Sequence, residues 1–508
     1  MNQTHAETRI VVGSGPSSIA VTHALLERGF HVTMLDAGER LDLATAKIVE
    51  VMARQEPEEW SEADKAVIQR LDFKTASLSP KRAFGSDFAY FRDPNLESPE
   101  SVRLYGSRAF GGLSTVWGCA LQRAAPAELV DWPPDVVQAV TAGYSQIRDL
   151  LRPSIGADLF ARDTHLKIST AARTLLDRFQ RSRNGSNGLS VYPTPLAIAT
   201  ECKACNACMY GCVYGFTYST RSTIEKHFMN NPRFRYVGGV VVKRFRETRV
   251  GVEVHVVDLA NSATDVFLGK QFFLAAGMMG TLRIIWNSGS DVARVLHARD
   301  ASCFFIPGFL PSVRATRATK HHGLSHLSVD VTVPPFEAKP LHVQLYFNNP
   351  TVVDGLTSRM GPLAIGPMRR LALLANRFFI VGQGYLHSDF GHRIRIECND
   401  AGVILASIQH NPETAKSVDS ALSRFTKQMR PLGPVFIKNL ATIAPFGSKT
   451  GGALPHSTVA DPAATDLFGR PFKSENVFIV DGTVMPSIPS RNHTLTIMSN
   501  ALRIGQSA

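Results

Sequence analysis

The sequence lacks a hydrophobic run long enough to cross a membrane. Its most apolar stretch, residues 272–286, is interrupted by Gly277, Gly280 and Arg283, and it is shorter than the roughly 20 apolar residues that a spanning helix needs. The N-terminus has no apolar leader, and the first predicted strand already begins at Arg9. We therefore expect a cytoplasmic location.

The sequence also lacks internal repeats, low-complexity segments and any compact patch of mixed basic and aromatic residues. The net charge is +12, but without such a patch we expect no nucleic-acid partner. One segment, residues 367–379, is basic and apolar together. It is either a packed helix with a charged edge or a peripheral contact with a membrane or a lipid-linked substrate.

The segment from Arg9 to Asp36 has the order strand, glycine loop, helix, strand and acid. Gly13 suits the tight turn, and Gly15 would let a pyrophosphate approach the N-terminus of the helix. Pro16 fits the first helical turn, where a missing N–H costs nothing. Asp36 is placed to accept a hydrogen bond from a ribose hydroxyl. The segment predicts dinucleotide binding without saying which dinucleotide.

Three later segments follow in a recognisable order. They are residues 111–114 with a glycine pair, residues 274–281 with Gly277, and residues 476–498 with the Asp481-Gly482 pair. Together with the N-terminal loop they resemble the glucose–methanol–choline (GMC) oxidoreductases over nearly the whole chain. The resemblance is nearest to the bacterial sugar-alcohol dehydrogenase type and to pyranose oxidase.

This resemblance implies FAD, with the adenine end on the first strand–helix–strand unit and the final helix closing over the pyrophosphate and the flavin ring. Val116 stands where pyranose oxidase carries the histidine that tethers its flavin. Valine offers no nucleophile, so we expect non-covalent FAD. The implied cofactor-binding residues are Gly13, Gly15, Pro16, Ser17, Asp36, Gly111, Gly112, Ser114, Val242, Ala276, Gly277, Asp481, Gly482 and Thr494.

The predicted fold class is α/β, or α+β overall, with a Rossmann-like FAD-binding domain built from discontinuous segments plus a β-sheet substrate domain. Alternating apolar residues after residue 296 indicate the antiparallel sheet. We expect the FAD-binding domain at 1–40, 101–125, 200–295 and 446–508. Helical insertions are expected at 41–100 and 126–199, and the substrate domain at 296–445.

The resemblance also implies a catalytic histidine paired with a second His or Asn that binds the substrate oxygen. Asn492 falls at the second position, but Lys449 stands where the histidine is expected. Either burial lowers the pKa of Lys449 enough to make it a base, or His493 or His456 takes the proton, or oxidation is impaired. We favour His493, because it adjoins Asn492 and histidine suits a base near working pH.

Four of the seven cysteines fall within one short segment, with the spacing C-x2-C-x2-C-x3-C. This spacing matches the bacterial ferredoxin run, so Cys202, Cys205, Cys208 and Cys212 predict a 4Fe-4S or 3Fe-4S cluster. A zinc site or a structural loop of reduced cysteines is the alternative. A cluster near the flavin would pass electrons to an external carrier.

The sequence therefore predicts an FAD-dependent alcohol dehydrogenase that acts on the CH–OH group of a small sugar-like or polyol substrate, with an unknown electron acceptor. Two alternatives remain. One is an electron-transfer flavoprotein, and the other is a non-oxidising descendant that holds FAD structurally and uses Lys449 in altered chemistry.

Overall fold

A computed structural model describes residues 7–69, 84, 89–161, 164–182, 188–312, 319–350, 374–447 and 449–508. The strands of these residues, numbered along the chain, are β1 Arg9–Val12, β2 Val32–Leu35, β3 Leu96–Glu97, β4 Leu189–Pro193, β5 Phe234–Val237, β6 Val240–Thr248, β7 Gly251–Asp258, β8 Thr264–Gly269, β9 Gln271–Leu274, β10 Val295–Asp300, β11 Cys303–Phe309, β12 Leu327–Val331, β13 Leu341–Phe347, β14 Phe379–Tyr385, β15 Arg393–Cys398, β16 Ile404–Gln409, β17 Val435–Phe436, β18 Thr442–Ile443, β19 Thr450–Gly451 and β20 Val477–Ile479.

The helices are α1 Pro16–Glu27, α2 Leu43–Ala53, α3 Glu62–Ile68, α4 Pro134–Ile155, α5 Thr170–Arg181, α6 Thr220–Thr223, α7 Gly277–Asn287, α8 Thr414–Met429 and α9 Thr494–Ser507. Within the described part of the chain, none of them is both long and apolar enough to cross a membrane.

A five-stranded parallel sheet has the order β20-β9-β1-β2-β5. Its strands are short and nearly continuous in apolar residues, as expected for a sheet covered on both faces. On one face α1 and α9 pack so closely that a Cβ on Gly505 would lie 2.9 Å from the Cβ of Ala24. This sheet brings together strands from both ends and the middle of the chain, as the predicted discontinuous Rossmann-like domain requires.

A seven-stranded sheet runs β17-β11-β14-β13-β12-β4, with β18 also pairing with β11, and its pairs are antiparallel. One face is apolar and is covered by α5 and α8, which contribute Leu175 and Phe425 to a common core. The other face is polar and equally buried along β12 and β13. The predicted fold class, with a Rossmann-like part and a β-sheet part, is confirmed.

Two smaller sheets complete the architecture. A five-stranded sheet has the order β19-β10-β15-β16-β3, and β6, β7 and β8 form a three-stranded meander. β4 lies inside the range 126–199 that was predicted to be a helical insertion, and it pairs with β12. The predicted domain boundaries otherwise stay a prediction.

Of the basic and apolar segment 367–379, residues 367–373 lie outside the described residues. In the remainder, the side chains of Leu374 and Phe378 are exposed.

Candidate active site

The first glycine loop, between β1 and α1, is built for close approach of another group. Gly13 has φ +94°, and a Cβ there would lie 2.7 Å from the carbonyl oxygen of Ala275, so only glycine fits without a shift in the backbone. Gly15 is the N-cap residue of α1 and has no side chain to cap it, and Pro16 opens the helix. The first N–H groups of α1 are therefore free for an external acceptor such as a phosphate. Ser17 is buried beside them.

Asp36, at the end of β2, is buried and accepts hydrogen bonds from two hydroxyl groups. The Ser14 hydroxyl donates to its Oδ2 at 2.6 Å, and the Tyr236 hydroxyl donates to the same atom at 3.1 Å. Burial raises the pKa of Asp36 to about 7, although hydrogen bonds from Ser14, Tyr236 and backbone N–H groups act against the rise. The carboxyl group that was predicted to bind ribose thus already holds two protein hydroxyls.

The second glycine loop packs directly on the first. The N–H of Gly111 donates to the Ser14 hydroxyl at 2.8 Å, and a Cβ on Gly112 would lie 3.1 Å from the Cα of Gly15. Ser114 fixes the loop by donating to the carbonyl of Gly111 at 2.6 Å. Both predicted glycine loops therefore meet at one place in the fold. Val116, after the loop, is buried.

The remaining predicted cofactor residues surround the ends of β9 and β20. Ala276 caps α7, and Gly277 begins it with φ +73°. Asp481 accepts from the Thr281 hydroxyl at 2.6 Å and from the N–H of Thr483 at 3.0 Å, so it joins α7 to the turn that contains Gly482. Burial raises the pKa of Asp481.

The last two predicted cofactor residues are Thr494 and Val242. Thr494 is the first residue of α9. Val242 is buried in β6 of the meander.

Lys449 is buried just before β19, and its ammonium group holds a single backbone turn. Nζ donates to the carbonyl oxygens of Pro489, Ser490 and Arg491 at 2.8, 2.6 and 2.8 Å. An ammonium group has three donors, so each of them is engaged. Burial lowers the pKa of Lys449 to about 7, against the charges of Glu128 and Asp300. The geometry favours Lys449 as a cation that orders the turn rather than as a base.

The same turn is held from the other side by Glu128, a fully buried carboxylate in the 126–129 turn. Its Oε1 accepts from the N–H and the hydroxyl of Ser490 at 2.7 and 2.6 Å. The Arg491 guanidinium lies 3.5 Å from Oε2 of Glu128 and donates to Asp330 at 2.7 Å. No local pattern could predict these contacts, because Glu128 and Arg491 are 363 residues apart in the chain.

Asn492 and His493 follow this turn and precede α9. Oδ1 of Asn492 is buried and has no hydrogen-bond partner among the described residues. Burial, with a contribution from the charge of Lys449, lowers the pKa of His493 to about 3. The predicted trio Asn492, His493 and Lys449 is therefore brought together, and His493 is a neutral imidazole at working pH.

His456 lies elsewhere. One ring nitrogen is 2.8 Å from the carbonyl oxygen of Asp466, and the other is 3.1 Å from the amide nitrogen of Asn500 and 3.3 Å from the Arg503 guanidinium. Burial, together with the charge of Arg503, lowers the pKa of His456 to about 4. One nitrogen thus contacts Asp466 and the other contacts α9, so the structure does not bring His456 into the group around Lys449.

The polar face of the seven-stranded sheet was not predicted as part of the site. His342 and Gln344 of β13 lie opposite Tyr385 and Gln383 of β14, and all four side chains are buried or nearly so. The Tyr385 ring centre lies 4.5 Å from Nζ of Lys449. The sequence of β13, LHVQLYF, could have predicted this polar face. Every second residue in it is polar, and alternate residues of a strand lie on the same face of the sheet.

The cysteine segment lies between β4 and α6. All four cysteines are free thiols, and burial raises the pKa of Cys205 to about 11 and the pKa values of Cys202 and Cys208 as well. Cys205 packs against a small core around Trp60. Among the residues that the structure describes, no group of three or more His, Cys, Asp or Glu side chains is arranged to hold a metal ion. The predicted iron–sulfur cluster on Cys202, Cys205, Cys208 and Cys212 is therefore not supported by the described part of the chain.

Comparisons with known proteins were made for the whole chain. No family model matches it. A segment of 79 residues, 16% of this chain, is 38% identical to the uncharacterized GMC-type oxidoreductase y4nJ of Sinorhizobium fredii, and the match spans 14% of that relative's length.

The fold is similar to that of pyridoxine 4-oxidase from Mesorbium loti, a GMC oxidoreductase, with a TM-score of 0.60 and 13% sequence identity over 98% of both chains. The resemblance to the GMC oxidoreductases that the four sequence segments predicted is therefore confirmed, by sequence over one segment and by fold over the whole chain.

Proposed function

We propose that this chain is an FAD-dependent oxidoreductase that oxidises the CH–OH group of a small sugar-like or polyol substrate. The observation that carries the proposal is that two surfaces suited to binding lie next to each other. Paired glycine loops with a free helix N-terminus lie on one side, and a buried polar sheet face lies on the other. The 489–494 turn joins the two.

The residues of the first surface fit FAD. Gly13 leaves no room for a side chain against Ala275, and Gly112 leaves little room for one where the two loops approach each other. The N–H groups at the start of α1 would hold the pyrophosphate, and the second loop, Asp481 and Thr494 would lie along the rest of the cofactor. When bound, the flavin supplies a hydride acceptor for the carbinol carbon.

The residues of the second surface fit a hydroxyl substrate. Oδ1 of Asn492 is a buried acceptor with no partner among the described residues, and buried polar atoms are normally hydrogen-bonded. A substrate hydroxyl that donates to Asn492 would satisfy it. Lys449 and Glu128 fix the turn that carries Asn492, and such positioning can account for much of a catalytic effect. The proton of that hydroxyl must go to a neutral base nearby, and the sequence-based candidate is His493.

An anaerobic absorption spectrum of the purified protein tests the proposal. We expect flavin bands that bleach when D-glucose, sorbitol or pyridoxine is added, the last because the structurally similar protein is a pyridoxine oxidase. Bleaching by dithionite but by none of a broad panel of alcohols would support the non-oxidising alternative. Bleaching only by a reduced protein partner would support an electron-transfer flavoprotein.

Electrons must leave the reduced cofactor for an external acceptor. Because no group of three or more His, Cys, Asp or Glu side chains among the described residues could hold a metal ion, we propose no route through a cluster. EPR and iron analysis of the same sample report on this point. We expect iron far below the stoichiometry of a cluster, and a cluster signal would restore the sequence-based prediction.

A further inference from the structure

His342 lies on the buried polar face of β13, directly opposite Asp330 of β12 and Tyr385 of β14. Its side chain is 0% exposed. A polar side chain at such a position costs free energy unless it is hydrogen-bonded or has a use. The contacts of its two ring nitrogens therefore decide what it can do.

Nδ1 of His342 lies 2.7 Å from Oδ1 of Asp330. Asp330 also accepts from the Tyr192 hydroxyl at 3.0 Å and from the Arg491 guanidinium at 2.7 Å. The Arg491 guanidinium, with the Tyr192 hydroxyl as a second donor, holds this carboxyl group as a carboxylate, which accepts and does not donate. Nδ1 of His342 must then carry the proton, and its Nε2 must carry the lone pair.

Nε2 of His342 is buried and has no hydrogen-bond partner among the described residues. Gln344 lies two positions further along β13 on the same face. Its Nε2 is a buried donor that also has no hydrogen-bond partner among the described residues. The face therefore presents an unused acceptor next to an unused donor. A substrate that has more than one oxygen would satisfy both.

These atoms face the turn that carries Asn492. Arg491, which donates to Asp330, immediately precedes Asn492. Tyr385, opposite His342, lies against Lys449, and Lys449 holds that same turn. The free Nε2 of His342 and the free Oδ1 of Asn492 thus belong to one buried region between the sheet and the turn.

We infer that His342 is the catalytic base of this site, with Asp330 as its positioning residue, and that the substrate is an alcohol with a second oxygen held by Gln344. The inference rests on the proposed function. The O–H bond breaks, and its proton goes to Nε2 of His342. The C–H bond breaks, and its hydrogen leaves with both electrons for the flavin, so the alcohol becomes a carbonyl compound as the flavin is reduced.

The charges around His342 agree with this role. Burial lowers the pKa of His342, the hydrogen bond and charge of Asp330 oppose the fall, and the positive charges of Arg491 and Lys449 add to it. Tyr192 and Tyr385 are the other titratable groups that face it, and burial raises the pKa of both. His342 is therefore unprotonated near neutral pH. The imidazolium formed on proton uptake lies against the Asp330 carboxylate, a support that His493 lacks.

Single-turnover reduction of the holoenzyme tests the inference, with D-glucose, sorbitol or pyridoxine as the probe, whichever bleaches the wild-type flavin. We expect His342→Asn to slow the limiting rate about 10²–10⁴-fold, while His493→Asn slows it much less. Gln344→Leu should raise the half-saturating concentration more than it lowers the limiting rate. His297→Asn, the same change at an exposed histidine of β10, is the matched control and should leave the rate at the wild-type value.

A second readout does not depend on turnover. The wild-type protein and His342→Asn are each labelled with ¹⁵N-histidine and compared by NMR at pH 7. The signal present only in the wild type belongs to His342, and it should show Nδ1 protonated and Nε2 unprotonated. Asp330→Asn should disturb that tautomer without removing bound FAD. A protonated Nε2 at pH 7, or equal reduction rates for wild type and His342→Asn, would overturn the inference alone. If no alcohol reduces the wild-type flavin, the proposed function fails, and the inference fails with it.

Discussion

Two buried aspartates, one at each main sheet, have opposite electrostatic properties. Asp36 ends β2 of the parallel sheet and is met by the hydroxyls of Ser14 and Tyr236, and its pKa is raised to about 7 by burial. Asp330, in β12 of the antiparallel sheet, is met by His342 and the Arg491 guanidinium. These partners hold its pKa well below the ordinary value in spite of similar burial.

The difference shows what a buried carboxylate needs. Hydroxyl donors cannot offset the loss of water around the charge, whereas a guanidinium and an imidazole can. A raised pKa at Asp36 is compatible with the proposed cofactor site, in which backbone N–H groups rather than this carboxylate would hold the phosphates. The antiparallel sheet keeps a permanent anion at Asp330, as a proton-accepting histidine requires.

The largest effect on cofactor binding is expected at the parallel sheet, from Gly13→Val. A valine Cβ at this position would collide with the carbonyl oxygen of Ala275. The backbone of the valine would also have to keep a φ of +94°. We expect FAD affinity to fall at least about 100-fold, equivalent to ~2.8 kcal/mol, as measured by titration of the apoprotein with FAD.

Gly29→Ala is the matched control, because Gly29 also has a positive φ, +81°, but no atom lies within 4 Å of a Cβ placed there. It should lose some stability and keep its FAD. Normal flavin content in Gly13→Val would show that this loop does not approach the cofactor.

The largest effect on stability is expected at the antiparallel sheet, from Arg491→Met. This change leaves Asp330 and Glu128 buried without their shared cation, and breaking a buried ion pair from one side costs about 3–5 kcal/mol. Denaturant unfolding at fixed FAD concentration measures the loss.

Arg148→Met, at a solvent-exposed pair with Asp149, is the control and should cost far less, because exposed ion pairs contribute little to stability. Equal losses in the two variants would mean that Asp330 does not depend on Arg491, and the contrast between the two aspartates would disappear.

The two regions also differ in how far the sequence predicts them. Gly13, Gly15 and Asp36 lie within one continuous segment, so their spacing is visible in the chain and the structure confirms the strand–helix–strand unit. The group around His342 is assembled from β12, β13 and a turn 161 residues from Asp330, and only the register of the strands shows which residues meet. The partners of Lys449 are backbone carbonyl groups. Every residue has such a group, so the residue types of the turn do not predict the contact.

The cysteine segment shows the reverse case. Its spacing is local and typical of an iron–sulfur site, yet the described residues include no group of three or more side chains that could hold a metal ion, and Cys205 packs beside Trp60. Spacing alone cannot report where a thiol points. In a loop with residues of positive φ, such as Ala204 and Asn206, side-chain directions do not follow the regular alternation of a strand or helix.

The effect that is smallest per pH unit concerns the pH dependence of stability, and it tests the two aspartates directly. A folded-state pKa that is raised, as for Asp36, gives stability that is complete below the unfolded pKa near 3.9 and is lost as the pH rises toward about 7. A lowered pKa, as for Asp330, gives stability that is present above about 3.9 and is lost as the pH falls. Each slope is at most about 1.4 kcal/mol per pH unit.

We therefore expect Asp36→Asn to flatten the unfolding free energy between pH 4 and 7, and Asp330→Asn to flatten it only on the acid side of that window. Denaturant unfolding at a series of pH values, at fixed FAD and salt concentrations, measures both. If both variants change the profile in the same window, hydroxyl donors stabilise a buried carboxylate as well as a guanidinium does here, and the reason given for placing the base beside Asp330 would no longer hold.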